Sequence, residues 1–270
     1  MHERTWLAAV SLAVLACAGC IPDLGVSTGG GSASGGLDED VGAVNAEAMV
    51  LDLQTGEISS RMDLDASSPT LRDREMAFRR VGSGSGEFLI AIFEVTQAQW
   101  DRLAGSAPWS AVVPTEVPAG AVSAGMPAFN LSYDAVATAL AGFRSRTGVQ
   151  LEVPSDAQWS TACGGSGTWW WGSTAGTAAQ LEARAIVRES QRATSGPRQV
   201  GGTAGNSHGL HDMHGNVWEW TSPGVHVRGG SWFDPAFTAR RDNLAGADSG
   251  GGIDSSVAHA LVGVRLVLRL

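Results

Sequence analysis

The apolar positions of the chain predict regular elements in its first two thirds and little regularity after that. Residues 49–53 and 88–95 are apolar, β-prone runs set apart by turn formers and by Gly82-Ser83-Gly84-Ser85-Gly86, a pattern of strands joined by loops. Helix starts follow. In Thr96-Gln97-Ala98-Gln99 the Thr hydroxyl and the Gln amide can satisfy each other's first-turn donors ahead of Trp100 and Leu103. Ser155-Asp156-Ala157-Gln158 repeats this capping box, and between the two Ser132 can cap a helix through Ala135, Ala139, Leu140 and Phe143 that stops at Gly148. Beyond Gly164 the periodicity fades into Gly, Trp, Asn and Asp, and strand character returns only at residues 261–267. The whole reads as α+β with much irregular chain, and long irregular stretches inside a compact domain point to functional loops or a structural ion.

The beginning of the chain has another character. Arg4 precedes an uncharged apolar run over residues 6–16 that is too short to span a bilayer comfortably and ends in Leu15-Ala16-Cys17-Ala18-Gly19-Cys20. Small residues immediately before a cysteine mark an export segment whose cysteine is lipidated, so residues 1–19 are expected to be a lipoprotein signal peptide and Cys20 the acylated first residue. Cys17 is the rival acceptor, and an ordinary secretory signal is the plainer alternative. Residues 20–45 hold the Gly/Ser-rich run from Gly25 to Gly36, a flexible tether with a typical reach of about 25–30 Å. Residues 46–270, about 220 residues, suit one sizeable domain.

Composition narrows the chemistry. Hydrophobic residues make up 43% and charged residues 17%, enough to bury a real core. The net charge of −9 excludes a basic nucleic-acid footprint, so nucleic acid is not an expected partner. All 18 cationic side chains are Arg, which removes Schiff-base enzymes, pyridoxal enzymes and phosphate-cradling P-loops, since each depends on a lysine amine. After loss of the export segment the cysteines are Cys20 and Cys163, which leaves no intramolecular disulfide framework. Ten Trp stand against one Tyr, so buried indole N–H groups will need polar partners.

Four blocks, in order, resemble the formylglycine-generating-enzyme (sulfatase-modifying-factor) superfamily. They are Phe93-Glu94-Val95-Thr96-Gln97-Ala98-Gln99-Trp100; Leu151-Glu152-Val153-Pro154-Ser155-Asp156-Ala157-Gln158-Trp159; Gly209-Leu210-His211-Asp212-Met213-His214-Gly215-Asn216-Val217-Trp218-Glu219-Trp220; and Arg228-Gly229-Gly230-Ser231-Trp232 with a closing Gly263-Val264-Arg265-Leu266. The third is nearly identical to the superfamily's central loop. The resemblance implies an α+β fold related to C-type lectins, with little regular structure and bound calcium.

Candidate sites follow from the residues and the resemblance together. Gly215-Asn216 argues against a helix between Asp212 and Glu219, and a loop lets two carboxylates and intervening carbonyls converge as hard oxygen ligands that suit calcium. The resemblance implies a structural calcium on the side chains of Asp212 and Glu219 and the carbonyls of Gly215 and Val217. A second implied calcium position falls near Ala185-Ile186-Val187, where only apolar residues stand. His208, His211 and His214 have the spacing of a transition-metal cluster, but no carboxylate or cysteine completes the set, and they read as ordinary structural histidines. Trp169-Trp170-Trp171 reads as core packing and Cys163 as a small buried residue.

The oxidase members place two cysteines after the block that ends in Trp232. Here Asp234 and Ala239 stand at those positions, so copper is not expected, and neither is formylglycine-generating oxidase activity. The expectation is therefore a non-oxidase binding, maturation or scaffolding module, exported and held at a membrane by its lipid, on the outer membrane, its periplasmic side or the cell surface, with an unidentified protein or peptide partner. The alternative is a formylglycine-generating-type or related metal-dependent oxidoreductase or maturation enzyme of the same superfamily. Arg228, Trp232, Asp234 and Arg240 are the expected lining of a polar and aromatic ligand cleft.

Overall fold

A computed structural model describes residues 47–113, 115–174, 176–191, 195–246 and 252–270. The expected export segment, the acylated Cys20 and the tether lie outside the described residues.

The first element is a six-stranded antiparallel sheet. Its strands are β1 (Ala48–Asp52), β2 (Ile58–Arg61), β3 (Glu75–Val81), β4 (Phe88–Ala91), β5 (Gln150–Glu152) and β9 (Val267–Arg269), in the order β2-β1-β3-β4-β9-β5. The C-terminal strand thus lies between β4 and β5, pairing Ile90 with Val267 and Leu151 with Leu268. A second sheet of β6 (Trp218–Thr221), β7 (His226–Arg228) and β8 (Val262–Gly263) has the order β7-β6-β8, with β6 and β8 parallel.

Successive side chains of a strand point to opposite faces, and here both faces of the large sheet are covered. Leu51, Met76, Phe78, Leu89 and Leu268 enter one core; Val50, Ala77, Val81, Ile90 and Val267 enter the other. Two-sided burial explains why these strands read as continuous apolar runs. Helices α1 (Gln97–Ala104) and α2 (Tyr133–Thr147) close the first face through Trp100, Leu103, Val136 and Phe143, together with Trp218 and Trp220 of the small sheet. Helix α3 (Asp156–Cys163) closes the second through Trp159, Ala162 and Cys163, with Leu210 and Met213 beside it.

The helix starts are those the sequence marks. Thr96 and Ser155 form capping boxes with Gln99 and Gln158, and Ser132 accepts from Ala135. Gly148 ends α2 at φ 78°, a left-handed turn that costs glycine least. Two expectations are corrected. The apolar run at residues 261–267 is not one strand: it divides into β8 and β9 in different sheets, and Arg265 turns into the core between them. The chain after Gly164 is less irregular than its composition suggests, since it holds β6, β7 and a further helix α4 (Ala178–Arg184) with its own capping box, Thr177 to Gln180. Among the described residues no helix is long and apolar enough to cross a membrane.

Candidate functional site

The central loop carries backbone that side chains rarely adopt. Asp212 and Asn216 have φ of 59° and 65°, and Gly215 has φ of 92°. Such backbone persists where the surroundings over-determine it. Gly215 donates to the Gly229 carbonyl at 2.6 Å, Asn216 donates to the Ile186 carbonyl at 2.7 Å, and Trp232 donates to the Asn216 carbonyl at 2.9 Å. A Cβ on Gly215 would lie 2.0 Å from the Ile186 carbonyl oxygen, so only glycine fits. The loop is thereby stitched to residues 185–187 on one side and 229–232 on the other.

Three carboxylates are buried around this loop, those of Glu94, Asp212 and Glu219, each 1% exposed, with the fully buried guanidinium of Arg265 near them. The charges of Asp212 and Glu219 both act on Glu94 and on Arg265. Glu219 accepts Nη2 and Nε of Arg265 at 2.7 and 3.0 Å on one oxygen, and Nε1 of Trp159 at 2.6 Å on the other. Asp212 accepts the N–H groups of Gly201 and Thr203 and the Thr203 hydroxyl. Glu94 accepts from Asn216 Nδ2 at 2.6 Å and Val217 N at 3.1 Å. Burial pushes the Glu94 carboxyl well above its ordinary range, and the charges of Asp212 and Glu219 add to the push.

Of the calcium set implied by the resemblance, both oxygens of Glu219 and both of Asp212 accept hydrogen bonds from protein donors, whereas the carbonyls of Gly215 and Val217 are not among the acceptors of the backbone hydrogen bonds. Among the described residues no three His, Cys, Asp or Glu side chains are grouped to hold a metal ion. At the second implied position Ala185, Ile186 and Val187 are fully buried, and the Ile186 carbonyl is taken by Asn216 N–H.

The histidines have separate tasks. His211 Nδ1 meets the Thr203 carbonyl at 2.8 Å, and His214 Nδ1 meets the Ala239 carbonyl at 2.6 Å. Cys163 lies 3.7 Å from His214 Nε2, yet burial pushes its thiol far up and lowers His214 to about 4, so this is a neutral pair and not a thiolate beside an imidazolium. Trp169 is buried, whereas Trp170 and Trp171 are only partly so, with Arg184 over the Trp170 ring at 4.8 Å.

The four residues expected to line a cleft do not share one. Arg228 turns to Asp156 at 2.9 Å, where His226 also binds, and its guanidinium lies over Trp159. Trp232 is 4% exposed and belongs to the first core. Asp234 is 1% exposed and accepts Trp218 Nε1 at 2.7 Å and the Ser231 hydroxyl at 2.5 Å, while burial raises its pKa. Ala239 backs directly onto Gly230, where an added Cβ would lie within 2.9 Å of it. Arg240 alone reaches solvent, beside Asp242.

What the segment does present is apolar. Along residues 231–240 the exposed side chains are Phe233 (43%), Phe237 (48%) and Arg240, alternating with inward ones. The short turn Ala236–Ala239 is braced by Ala236 N–H on Glu189 and packs with Trp169, Leu181 and Val187, with Trp171 against the same cluster. Sequence reading passed over Phe233 and Phe237 because a phenylalanine ordinarily signals core. The available signal was their place beside the two positions where oxidases carry cysteines, Phe233 just before the first and Phe237 between them. A separate groove of about 440 Å³ between α2 and β5 includes Arg144, Glu152 and Ser222 but none of the expected metal or cleft residues.

Residues 40–270 match the family model of the sulfatase-modifying factor enzyme 1-like domain. The chain belongs to this family. Among solved structures it resembles Treponema denticola variable protein 1, with TM-score 0.57 and 18% identity over 73% of this chain and 96% of that one. It also resembles PvdO from Pseudomonas aeruginosa (TM-score 0.52, 19% identity, 73% and 94% covered) and CarF (0.50, 20%, 68% and 87%). No curated protein sequence matches. At these identities the likeness establishes the fold, α+β with much irregular chain, and leaves activity to the site.

Proposed function

We propose that this member of the sulfatase-modifying factor family is a binding module outside the cytoplasm, tethered to a membrane by acylation of Cys20, with Phe233, Phe237 and Arg240 as its contact surface for a protein or peptide. The observation that carries the reading is the use made of the two positions where oxidase relatives hold cysteines. Asp234 is an internal acceptor for Trp218 and Ser231, and Ala239 is packed under Gly230. A buried carboxylate is a hard ligand that disfavours Cu(I), and a methyl group binds nothing, so residues 231–240 offer no soft donor for copper. Cys163 supplies no substitute, because its thiol is buried and held protonated.

Two experiments test this. Purified protein incubated with copper, oxygen and a sulfatase-motif peptide is expected to leave the peptide mass unchanged; the mass loss of aldehyde formation, persisting in Cys163→Ser, would reject the non-oxidase reading. Labelled palmitate is expected to follow the protein and to be lost in Cys20→Ser. Label retained by that variant in the membrane fraction would move the anchor to Cys17.

A further inference from the structure

The groove between α2 and β5 follows from the spacing of small residues on a helix. Tyr133, Ala137, Leu140, Ala141 and Arg144 recur at three and four positions, which places them along one side of α2. Ala137 and Ala141 are exposed, and two methyl groups where longer side chains could stand leave a hollow against the strand opposite. That wall is formed by Gln150, Leu151, Glu152 and Val153 in unbroken succession. Successive residues of a strand point to opposite faces, so a groove lined by four in a row runs along the strand's edge. Strand β5 is the last of its sheet: β9 pairs with it on one side, and among the described residues no further backbone hydrogen bond reaches residues 150–153. An open edge beside a helix is a template for an added strand.

The two ends of the groove differ. Tyr133 and Ser222 close one end, where the Tyr133 ring meets Trp220 at 6.0 Å and a Cβ on Gly224 would lie 2.4 Å from it. Arg144 stands at the other end. Among the described residues no hydrogen bond or ion pair engages its guanidinium, and its charge acts on Glu152 through space. Glu152 is already occupied, by Arg269 at 2.7 Å and Gln150 at 2.5 Å, so the cation of the groove is left over. The short link through Gly148 turns β5 back along α2, which sets the start of β5 at the Arg144 end. Every pairing in the large sheet is antiparallel. A chain added to β5 in the same sense finishes beside Arg144 with its C-terminus.

We propose that this groove binds the free C-terminus of an apolar peptide, added antiparallel to β5 with its carboxylate on Arg144. The eleven-residue span from Tyr133 to Arg144 is about 16 Å of helix, room for roughly five extended residues. Leu140, Leu151 and Val153 supply an apolar floor for alternate side chains. The site shares no residue with the surface at Phe233 and Phe237 and does not rest on it. A peptide whose C-terminus is fused to a carrier lacks the carboxylate, so capture at the two places is read separately.

The probe is a fluorescein-labelled peptide of alternating valine and threonine with a free C-terminus, followed by fluorescence anisotropy. Saturable binding is expected, weakened about fivefold by amidation of the C-terminus and by Arg144→Gln, and unchanged by Arg80→Gln, an exposed arginine of β3. Ala141→Leu fills the hollow and is expected to weaken binding about tenfold while melting as the wild type does, since the position is exposed and leucine suits a helix. Methylating alternate peptide nitrogens of the probe should abolish binding in one of the two phases and spare it in the other, because an added strand turns only every second N–H to its neighbour. Absence of saturable binding, equal binding of acid and amide, binding undiminished in Ala141→Leu, or indifference to methylation in both phases overturns the proposal.

Discussion

From Asp212 to Glu219 every side chain is buried and every named polar group has a partner inside the protein, whereas from Ser231 to Arg240 exposed and buried positions alternate. The two segments touch, through Trp232 N–H on the Asn216 carbonyl and Trp218 Nε1 on Asp234. Their difference lies in what faces outward. The central loop spends its carboxylates and its strained backbone on holding four regions of the chain together. The second segment spends only its inward residues this way and leaves two aromatic rings and a guanidinium in solvent. Near-identity to a family motif and surface exposure are therefore separate matters here: the segment closest to the family pattern is buried at every residue from Asp212 to Glu219.

The comparison breaks most sharply at Gly215. Its φ of 92° and the 2.0 Å approach of a Cβ to the Ile186 carbonyl mean that Gly215→Ala must move residues 185–187 or the loop itself. A loss of more than about 4 kcal/mol is expected, enough to leave the domain largely unfolded at 37 °C. Urea unfolding followed by tryptophan fluorescence measures it; a loss under about 1 kcal/mol, the typical cost of a point substitution, would show that the loop is softer than its geometry states.

Trp218→Phe probes the seam between the segments. It keeps most of the ring but removes the N–H that Asp234 accepts, leaving a buried carboxylate with the Ser231 hydroxyl as its remaining side-chain donor. The expected cost is about 2 kcal/mol. Asp234→Asn in the same background should recover part of it, because an uncharged amide tolerates the site better. No recovery would mean that the loss comes from packing of the ring alone.

How far these segments were legible in the sequence follows the same division. Helix starts at Thr96, Ser132 and Ser155 were readable because capping is local chemistry, decided within four residues. The central loop was legible as a loop from Gly215-Asn216. That its carboxylates answer to Arg265 was not, since the partner lies 46 positions from Glu219 and sits in a run that reads as plain strand. The inward turn of Arg228 and Asp234 was hidden for a similar reason, as their partners come from α3 and β6. Cys163 and Trp169 are buried as expected, an expectation that rested on the corresponding positions of the family the chain resembles. The capping box at Thr177 was as legible as the others but stands in glycine-rich chain.

A smaller effect should separate core from surface by pH. His259 is 7% exposed and packs near the Trp220 ring at 5.9 Å; burial lowers its pKa from 6.5, with Asp254 opposing. A base whose folded pKa is depressed gives stability that is present above 6.5 and lost as pH falls below it, because the unfolded chain takes up the proton first. The urea midpoint is thus expected to fall between pH 7.5 and pH 5 by more in the wild type than in His259→Gln. Equal falls would remove His259 from the account.

The smallest effect on stability is expected where the largest effect on function lies. Phe233 and Phe237 are 43% and 48% exposed, so replacing both with Ser removes little buried area, while the inward residues that set the segment's path, Asp234, Ala236 and Ala239, stay in place. The change in stability should remain within about 0.5 kcal/mol, the ordinary range for surface positions. Exposed aromatic rings on a braced backbone are efficient contact groups, because they bring area at little cost in side-chain entropy. Peptides selected from a random display library on the wild-type domain should therefore lose binding at least tenfold to Phe233→Ser/Phe237→Ser, and less to Arg240→Gln, whose charge is shared with Asp242. Selected peptides that bind wild type and double variant equally would place the contact surface elsewhere on the molecule, with the groove between α2 and β5 the next to be tested by Arg144→Ala.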